Sequence, residues 1–202
     1  MAKETPDEEL MAQVKEGKEE AFTLLVSRHQ HLVYGTIAHM IGGAGPDAED
    51  LSQQVFIRVY RAAARYRPEA KFTTWLLTIC RNMVFTHCKR QKLRRLFTSS
   101  SQANEDEGEE KNDWLDPQIQ TARDELLQKE LEKNIRLALS KLPEKQRMSL
   151  ILRQYQQLDY EQIAKVLQTT VPSVKSLLFR ARETLKTLLK PYLDATLKEE
   201  GS

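Results

Sequence analysis

The chain has 202 residues, of which 40% are hydrophobic and 30% charged, and a formal net charge of +2. That balance fits one large or two small packed domains and excludes a membrane-embedded or wholly disordered chain. No segment reaches the roughly 18 apolar residues of a spanning helix, and the acidic stretch Met1 to Glu9 has no apolar leader core, so a cytoplasmic protein is expected.

Only 7 Gly and 7 Pro stand among abundant Leu, Ala, Glu, Lys, Arg and Gln, a mixture that favours helix throughout. Leu10, Val14, Ala21, Leu24, Leu25, His29, Leu32, Val33, Thr36 and Ile37 recur at helical spacing, with breaks at Gly17 and Gly42-Gly43. The spacing predicts two helices. Asp47 is predicted to cap a third, with Asp50 in its first turn and Leu51, Val55, Val59 and Ala62 as its buried stripe. The opposite face carries Asp50, Gln53, Gln54, Ile57 and Arg58. Pro68 closes that region. A fourth helix opens at Lys71 to Trp75 and continues through Leu76, Ile79, Met83 and Val84 into the basic cluster Lys89 to Arg95.

Counting charge by segment shows what the net value hides. Residues 1 to 57 carry four bases and ten acids, net −6, whereas residues 58 to 95 carry eleven bases and the single acid Glu69, net +10. So basic a stretch is a polyanion-binding signature. Tyr60, Tyr66, Phe72, Trp75 and Phe85 are interleaved with those bases. Aromatic faces in a cationic groove hold unstacked bases, at about 1 to 3 kcal/mol each. Phe85 reads as a core residue, and Phe72 and Trp75 fit either the core or a groove that takes single-stranded nucleic acid. Residues 98 to 125 hold nine acids and two bases, net −7, with few aliphatic side chains to bury. They read as a flexible linker.

The run from Tyr160 to Leu167, the connection Gln168 to Thr170, and the run from Val171 to Arg182 have helix-turn-helix spacing. Ile163, Ala164 and Leu167 are expected to face Val174, Leu177 and Leu178, with the small Ala164 admitting close approach. Thr170 can cap the second helix and Pro172 fits its first turn. Lys175, Ser176, Phe179, Arg180 and Arg182 then project towards a major groove.

Other chemistry finds no support. Cys80 and Cys88 would lie about 12 Å apart along one helix, too far to bridge. No CxxC or HxxxH spacing suggests a metal site, and Gly42-Gly43-Ala44-Gly45 lacks the Lys-Ser/Thr of a phosphate loop. No nucleophile–base–orienter set occurs, so neither catalytic residues, a metal nor a cofactor is expected.

Taken together these motifs resemble the extracytoplasmic-function, or group four, sigma factors of bacterial RNA polymerase. Glu9-Leu10 and Gly17 to Phe22 resemble the start of the family's region two. The run Asp47 to Tyr60 resembles its polymerase-binding helix, and Phe72 to Leu76 with Arg81-Asn82 its promoter-melting segment. Leu142-Pro143, Gln146-Arg147 and the helix-turn-helix resemble region four. Three positions depart from the family pattern: Gln54 where Glu is usual, Thr86 where Asp is common, and Gln168 where Gly commonly makes the turn. A non-Gly residue at positive φ there would cost about 1 to 2 kcal/mol.

The resemblance implies an all-α protein of two small helical domains, region two over 8–96 and region four over 126–192, joined by the acidic linker 97–125. It implies a non-enzymatic promoter-specificity subunit whose partners are core RNA polymerase, through the β′ clamp and β flap, and promoter DNA. Family members are often held by an anti-sigma factor as well. Asp47, Glu49, Asp50, Gln53, Gln54 and Ile57 match polymerase-binding positions. Arg65, Lys71, Phe72, Thr74, Trp75, Arg81, Asn82, Lys89 and Arg90 match the segment that recognises and melts the minus-ten element. Thr170, Pro172, Ser173, Lys175, Ser176, Phe179, Arg180 and Arg182 match readers of the minus-thirty-five element. The rival reading is a stand-alone helix-turn-helix repressor. A nuclease would need carboxylates beside the basic segment, where Glu69 is the only acid.

Overall fold

The computed structural model describes residues 5–98 and 122–199, with side chains described over 5–97 and 128–192. Most of the expected linker lies outside the described residues. Among those described, every element is helical: α1 (Asp7–Lys15), α2 (Glu19–Ile41), α3 (Pro46–Ala62) with a short 3-10 turn (Ala63–Arg65), and α4 (Phe72–Thr98), then α5 (Ala122–Ser140), α6 (Glu144–Gln154), α7 (Tyr160–Leu167) and α8 (Val171–Glu199).

The breaks fall where backbone chemistry puts them. Gly42 takes φ 94° and closes α2 by donating its N–H to the Ala38 carbonyl, a left-handed cap that costs Gly little. Gly45, at φ 131°, precedes Pro46, which is the first residue of α3. Proline has its helical φ preset and no N–H to leave unpaired at that position. The expected cap at Asp47 is therefore corrected: the helix begins before it, and Asp47 is an exposed residue of the first turn.

α1 to α4 enclose the first core. α2 buries Ala21, Leu25, His29, Val33, Ile37 and Met40, and α3 buries Leu51, Val55 and Val59. α1 is tied down by Asp7, whose carboxylate accepts from Arg28 Nη1 at 3.0 Å and lies 2.8 Å from His29 Nε2. Next to it Glu8 accepts the N–H of Phe72 at 3.1 Å. That N–H is an orphan donor of the first turn of α4, so an acid 64 positions earlier caps it.

α5 to α8 enclose the second core, built from Met148, Ile151, Leu152, Ile163, Val166, Val174 and Leu178. α7 starts on a capping box in which Asp159 accepts the N–H of Gln162 at 2.7 Å and Gln162 accepts that of Asp159 at 3.0 Å.

The two domains also pack on one another, with α7 against α4 and α6 against α2. Arg147 of α6 donates from Nη1 to the Met40 carbonyl of α2 at 2.6 Å, and from Nη2 to the Ser140 and Leu142 carbonyls. Gln156 donates to Thr36 Oγ1 at 3.1 Å, Lys92 Nζ pairs with Glu144 at 2.8 Å, and the His39 ring stacks on Tyr155 at 3.9 Å between centroids.

A cavity of about 450 Å³ beside that stack is lined by Tyr34, Ala38, Ile135 and Leu139. His39 faces Arg136 of α5 and Tyr155, the residue that caps the end of α6, and its pKa is lowered, first by burial and then by the Arg136 charge. A histidine with a depressed folded pKa supports the structure above its unfolded value, about 6.5, and that support is lost as pH falls through the folded value. Acidification from pH 7.5 to 5.5 is expected to lower the thermal midpoint, and His39→Phe to remove part of that fall. An unchanged pH slope in the variant would detach His39 from the effect.

Candidate polymerase and nucleic-acid interfaces

Three exposed faces emerge from this packing. The first is the outer face of α3, where Asp47, Glu49, Asp50, Gln53, Gln54 and Ile57 all lie exposed. The stripe Leu51, Val55 and Val59 faces inward and leaves these positions outward by helical periodicity alone. Gln54 Nε2 donates to Asp50 Oδ2 at 2.7 Å, which fixes the carboxylate. Ile57 is 48% exposed and Tyr60 47%. An apolar centre rimmed by acids suits a basic protein partner.

The second face is the cationic side of the 3-10 turn, the connection to α4, and α4 itself. Arg65, Arg67, Lys71, Asn82, Lys89 and Arg90 are exposed there, and Trp75 is half-buried. Phe72 is 2% exposed and Thr74 3%. Both belong to the inward side of α4, so the expectation that they meet a DNA strand is corrected for this arrangement. The Phe72 ring sits among His29 at 5.1 Å, Trp75 at 5.8 Å and Tyr66 at 6.1 Å. Trp75 meets Tyr66 edge-on at 4.8 Å and keeps part of its surface open. Arg81 is also buried, with its guanidinium 5.9 Å from the Phe85 ring centre.

The third face is the start of α8. Pro172, Lys175, Ser176, Phe179, Arg180 and Arg182 are exposed, and Ser173 is half-buried. The Thr170 hydroxyl accepts from Ser173 N at 3.4 Å, a long bond in the position the sequence suggests for a cap. Ile163, Ala164, Leu167, Val174 and Leu178 are buried where the helices cross. Gln168 takes φ 52° and ψ 55°, so the turn keeps left-handed geometry without glycine.

Sequence reasoning missed the contribution of Arg147, Tyr155 and Gln156, which join the domains. Gln146-Arg147 stood out only as part of a family pattern, and a lone arginine gives no signal of burial.

The sigma-70 region 2 family model matches residues 25–94, and the sigma-70, region 4 model matches residues 132–185. Over 193 residues the chain is 34% identical to the RNA polymerase sigma-H factor of Pseudomonas aeruginosa, a match covering 96% of this chain and 98% of that protein. The chain is an extracytoplasmic-function sigma factor of the sigma-70 family. It is also 33% identical over 193 residues to the ECF RNA polymerase sigma-E factor of Escherichia coli strain K12, covering 96% of this chain and 99% of that one. In fold it is similar, at a TM-score of 0.62 and 25% identity, to CnrH in complex with the cytosolic domain of CnrY, over 92% of this chain and 97% of that one. A sigma factor is a transcription-initiation factor, and the stand-alone repressor is set aside.

Three substitutions test the sigma factor's DNA modules. Gln168→Gly is expected to stabilise the helix-turn-helix by about 0.5 to 1 kcal/mol, because relief of left-handed strain outweighs the added unfolded-state entropy. A denaturant midpoint at or below the parent's would show that the Gln168 side chain contributes more than its backbone strain costs. Phe72→Ala should cost about 3 to 5 kcal/mol of fold stability. Trp75→Ala should mainly impair opening of duplex promoters and be rescued on a pre-melted bubble. Thermal melting with transcription on both templates separates the two, and a Phe72→Ala protein melting with the parent would return that ring to the surface.

Proposed function

We propose that this sigma factor uses its three faces in one sequence of contacts. The acidic face of α3, with Asp50, Gln53 and Ile57 at its centre, docks on the β′ clamp of core RNA polymerase. The cationic face of α4 takes the minus-ten element, with Arg65, Lys71, Asn82, Lys89 and Arg90 on the strand's phosphates and the open edge of Trp75 against an unpaired base. The start of α8 reads the minus-thirty-five element in the major groove, with Arg180 on guanine and Phe179, 66% exposed, against a thymine methyl. Region four also meets the polymerase β flap.

The observation that carries this reading is the segregation of charge along the surface of one domain. The N-terminal part of the outer face of α3 is acidic, through Asp47, Glu49 and Asp50, whereas Arg58 and Arg61 at its other end and the outer face of α4 are basic, so a protein partner and a polyanion can be bound at once without competing. The reaction chemistry belongs to the polymerase; this chain binds and positions, and does not catalyse. It works in the cytoplasm. An anti-sigma factor is a further partner, supported by the CnrH–CnrY likeness and by a fold similarity, at a TM-score of 0.60 and 20% identity, to the sigma factor RpoE with the anti-sigma factor NepR from Bartonella quintana.

Asp50→Arg tests the docking face. It reverses charge at an exposed position where folding is nearly indifferent, while like charges across an interface cost several kcal/mol. Binding to purified core polymerase should fall at least tenfold, with the thermal midpoint unchanged. Parental affinity in a folded variant would overturn the assignment of α3 to the polymerase.

A further inference from the structure

The cavity at the domain junction is lined by two opposite charges that the fold leaves unused. One wall belongs to α2, through Tyr34, Gly35 and Ala38, and the other to α5, through Ile135 and Leu139, so neither domain encloses it alone. At about 450 Å³ it has the size of a small-molecule site, and domain junctions are where such sites concentrate. Its walls are already fixed. The Gly45 N–H donates to the Tyr34 hydroxyl at 3.2 Å, and the His39 and Tyr155 rings stack at 3.9 Å between centroids.

Gly35 is an independent sign of room kept open. It lies in the interior of α2, where glycine weakens a helix relative to alanine. No close neighbour requires it, since a Cβ built there meets nothing within 4 Å. The space over Gly35 is the cavity that it lines.

The charged groups define what fits. Glu132 and Arg136 both line the cavity, half-buried and one helical turn apart on α5, a spacing at which opposite charges commonly pair. Among the described residues neither makes an ion pair or a hydrogen bond. Arg136 faces the His39 ring and Glu132 faces Tyr155. A lone carboxylate entering here would pair with Arg136 but meet Glu132, and a lone ammonium the reverse. A zwitterion with an apolar body satisfies both. The two residues are rooted about 6 Å apart along the helix axis, close to the roughly 7 Å that two extended residues span. A dipeptide can therefore present its ammonium to Glu132 and its carboxylate to Arg136 together.

We propose that this cavity binds an apolar dipeptide with free ends, held by Glu132 and Arg136 and packed against Ile135, Leu139 and the His39–Tyr155 stack. Because each domain supplies one wall, only the packed chain presents the whole site. Occupancy therefore adds its binding free energy to the junction.

Calorimetric titration and thermal melting of the full chain with leucyl-phenylalanine test this, beside the N-acetylated dipeptide, the dipeptide amide and free phenylalanine. The dipeptide with both ends free should bind and raise the thermal midpoint by roughly 5 to 10 °C at a hundredfold excess over Kd. Blocking either end should lower affinity by about tenfold or more. Arg136→Gln should lose the distinction between acid and amide, and Glu132→Gln that between free and acetylated amine, which is the coupling a direct contact produces. Gly35→Leu, which fills the cavity from a helical position with open space above it, should abolish binding without lowering the midpoint of the free protein. Absence of binding, equal affinity for the blocked forms, free phenylalanine binding as tightly as the dipeptide, or charge variants that discriminate as the parent does would each overturn the proposal. Should Gly35→Leu not fold, the two charge variants and the blocked dipeptides decide alone.

Discussion

One guanidinium holds the ends of two helices together. The Met40 carbonyl belongs to the last turn of α2 and the Ser140 carbonyl to the last residue of α5, and Arg147 of α6 donates to both. Helix C-termini carry unpaired carbonyls and partial negative charge, so a cation between two of them satisfies orphan acceptors and opposes both dipoles. Removing arginine from water is expensive, and burial lowers the Arg147 pKa. Hydrogen bonds to three carbonyls offset that cost; Nε has none. The bond to Ser140 and Leu142 orders the second domain on its own, and the bond to Met40 attaches it to the first. Internal order of one domain and its placement on the other are therefore linked through a single side chain.

That linkage matters because the other contacts between domains are individually weak. Lys92 is largely exposed, so its pair with Glu144 contributes little. The stack of His39 on Tyr155 lies beside Arg136 and a cavity, where burial and the Arg136 charge lower the His39 pKa. Apolar packing carries the rest: Ile37, Met40, Val55, Leu76 and Cys80 of the first domain and Met148, Ile151, Ile163 and Val174 of the second are fully buried and belong to one continuous apolar cluster. Packing free energy follows buried apolar area, so α7 on α4 and α6 on α2 hold the junction, and the polar bonds fix its register.

Periodicity made most of this legible. The breaks at Gly17 and Gly42, the stripe of α3 and the helix-turn-helix from Tyr160 all rest on local spacing, and local spacing decides which face of a helix points inward. It does not say what comes to meet that face. Glu8 caps α4 from 64 residues away and Arg147 reaches Met40 from 107 away, and no feature near either residue announces it. Asp47 was misread because an acid near a helix start is a good cap in general, and the preset φ of Pro46 after Gly45 moved the start ahead of it. Phe72 and Thr74 fell in a run that suits both a groove and a core; the inward turn of α4 against His29 and Tyr66 settles both in the core. Gln168 was legible in the opposite sense, since the turn demanded left-handed geometry and the backbone supplied it without glycine.

The basic segment shows how far a charge count reaches. Eleven cations against one acid give the sign and strength of attraction for a polyanion, but attraction at a distance and contact are different quantities. Long-range steering depends on all eleven, buried or not, because the field of a charge extends about 8 to 10 Å in physiological salt. Counterion release and hydrogen bonding depend only on those a phosphate can touch. Arg81, buried beside the Phe85 ring, contributes to the first and not to the second. Recruitment and contact are therefore carried by different sets of cations on one helix: all of them draw a polyanion in, and exposed ones such as Lys89 and Arg90 are those a phosphate can touch.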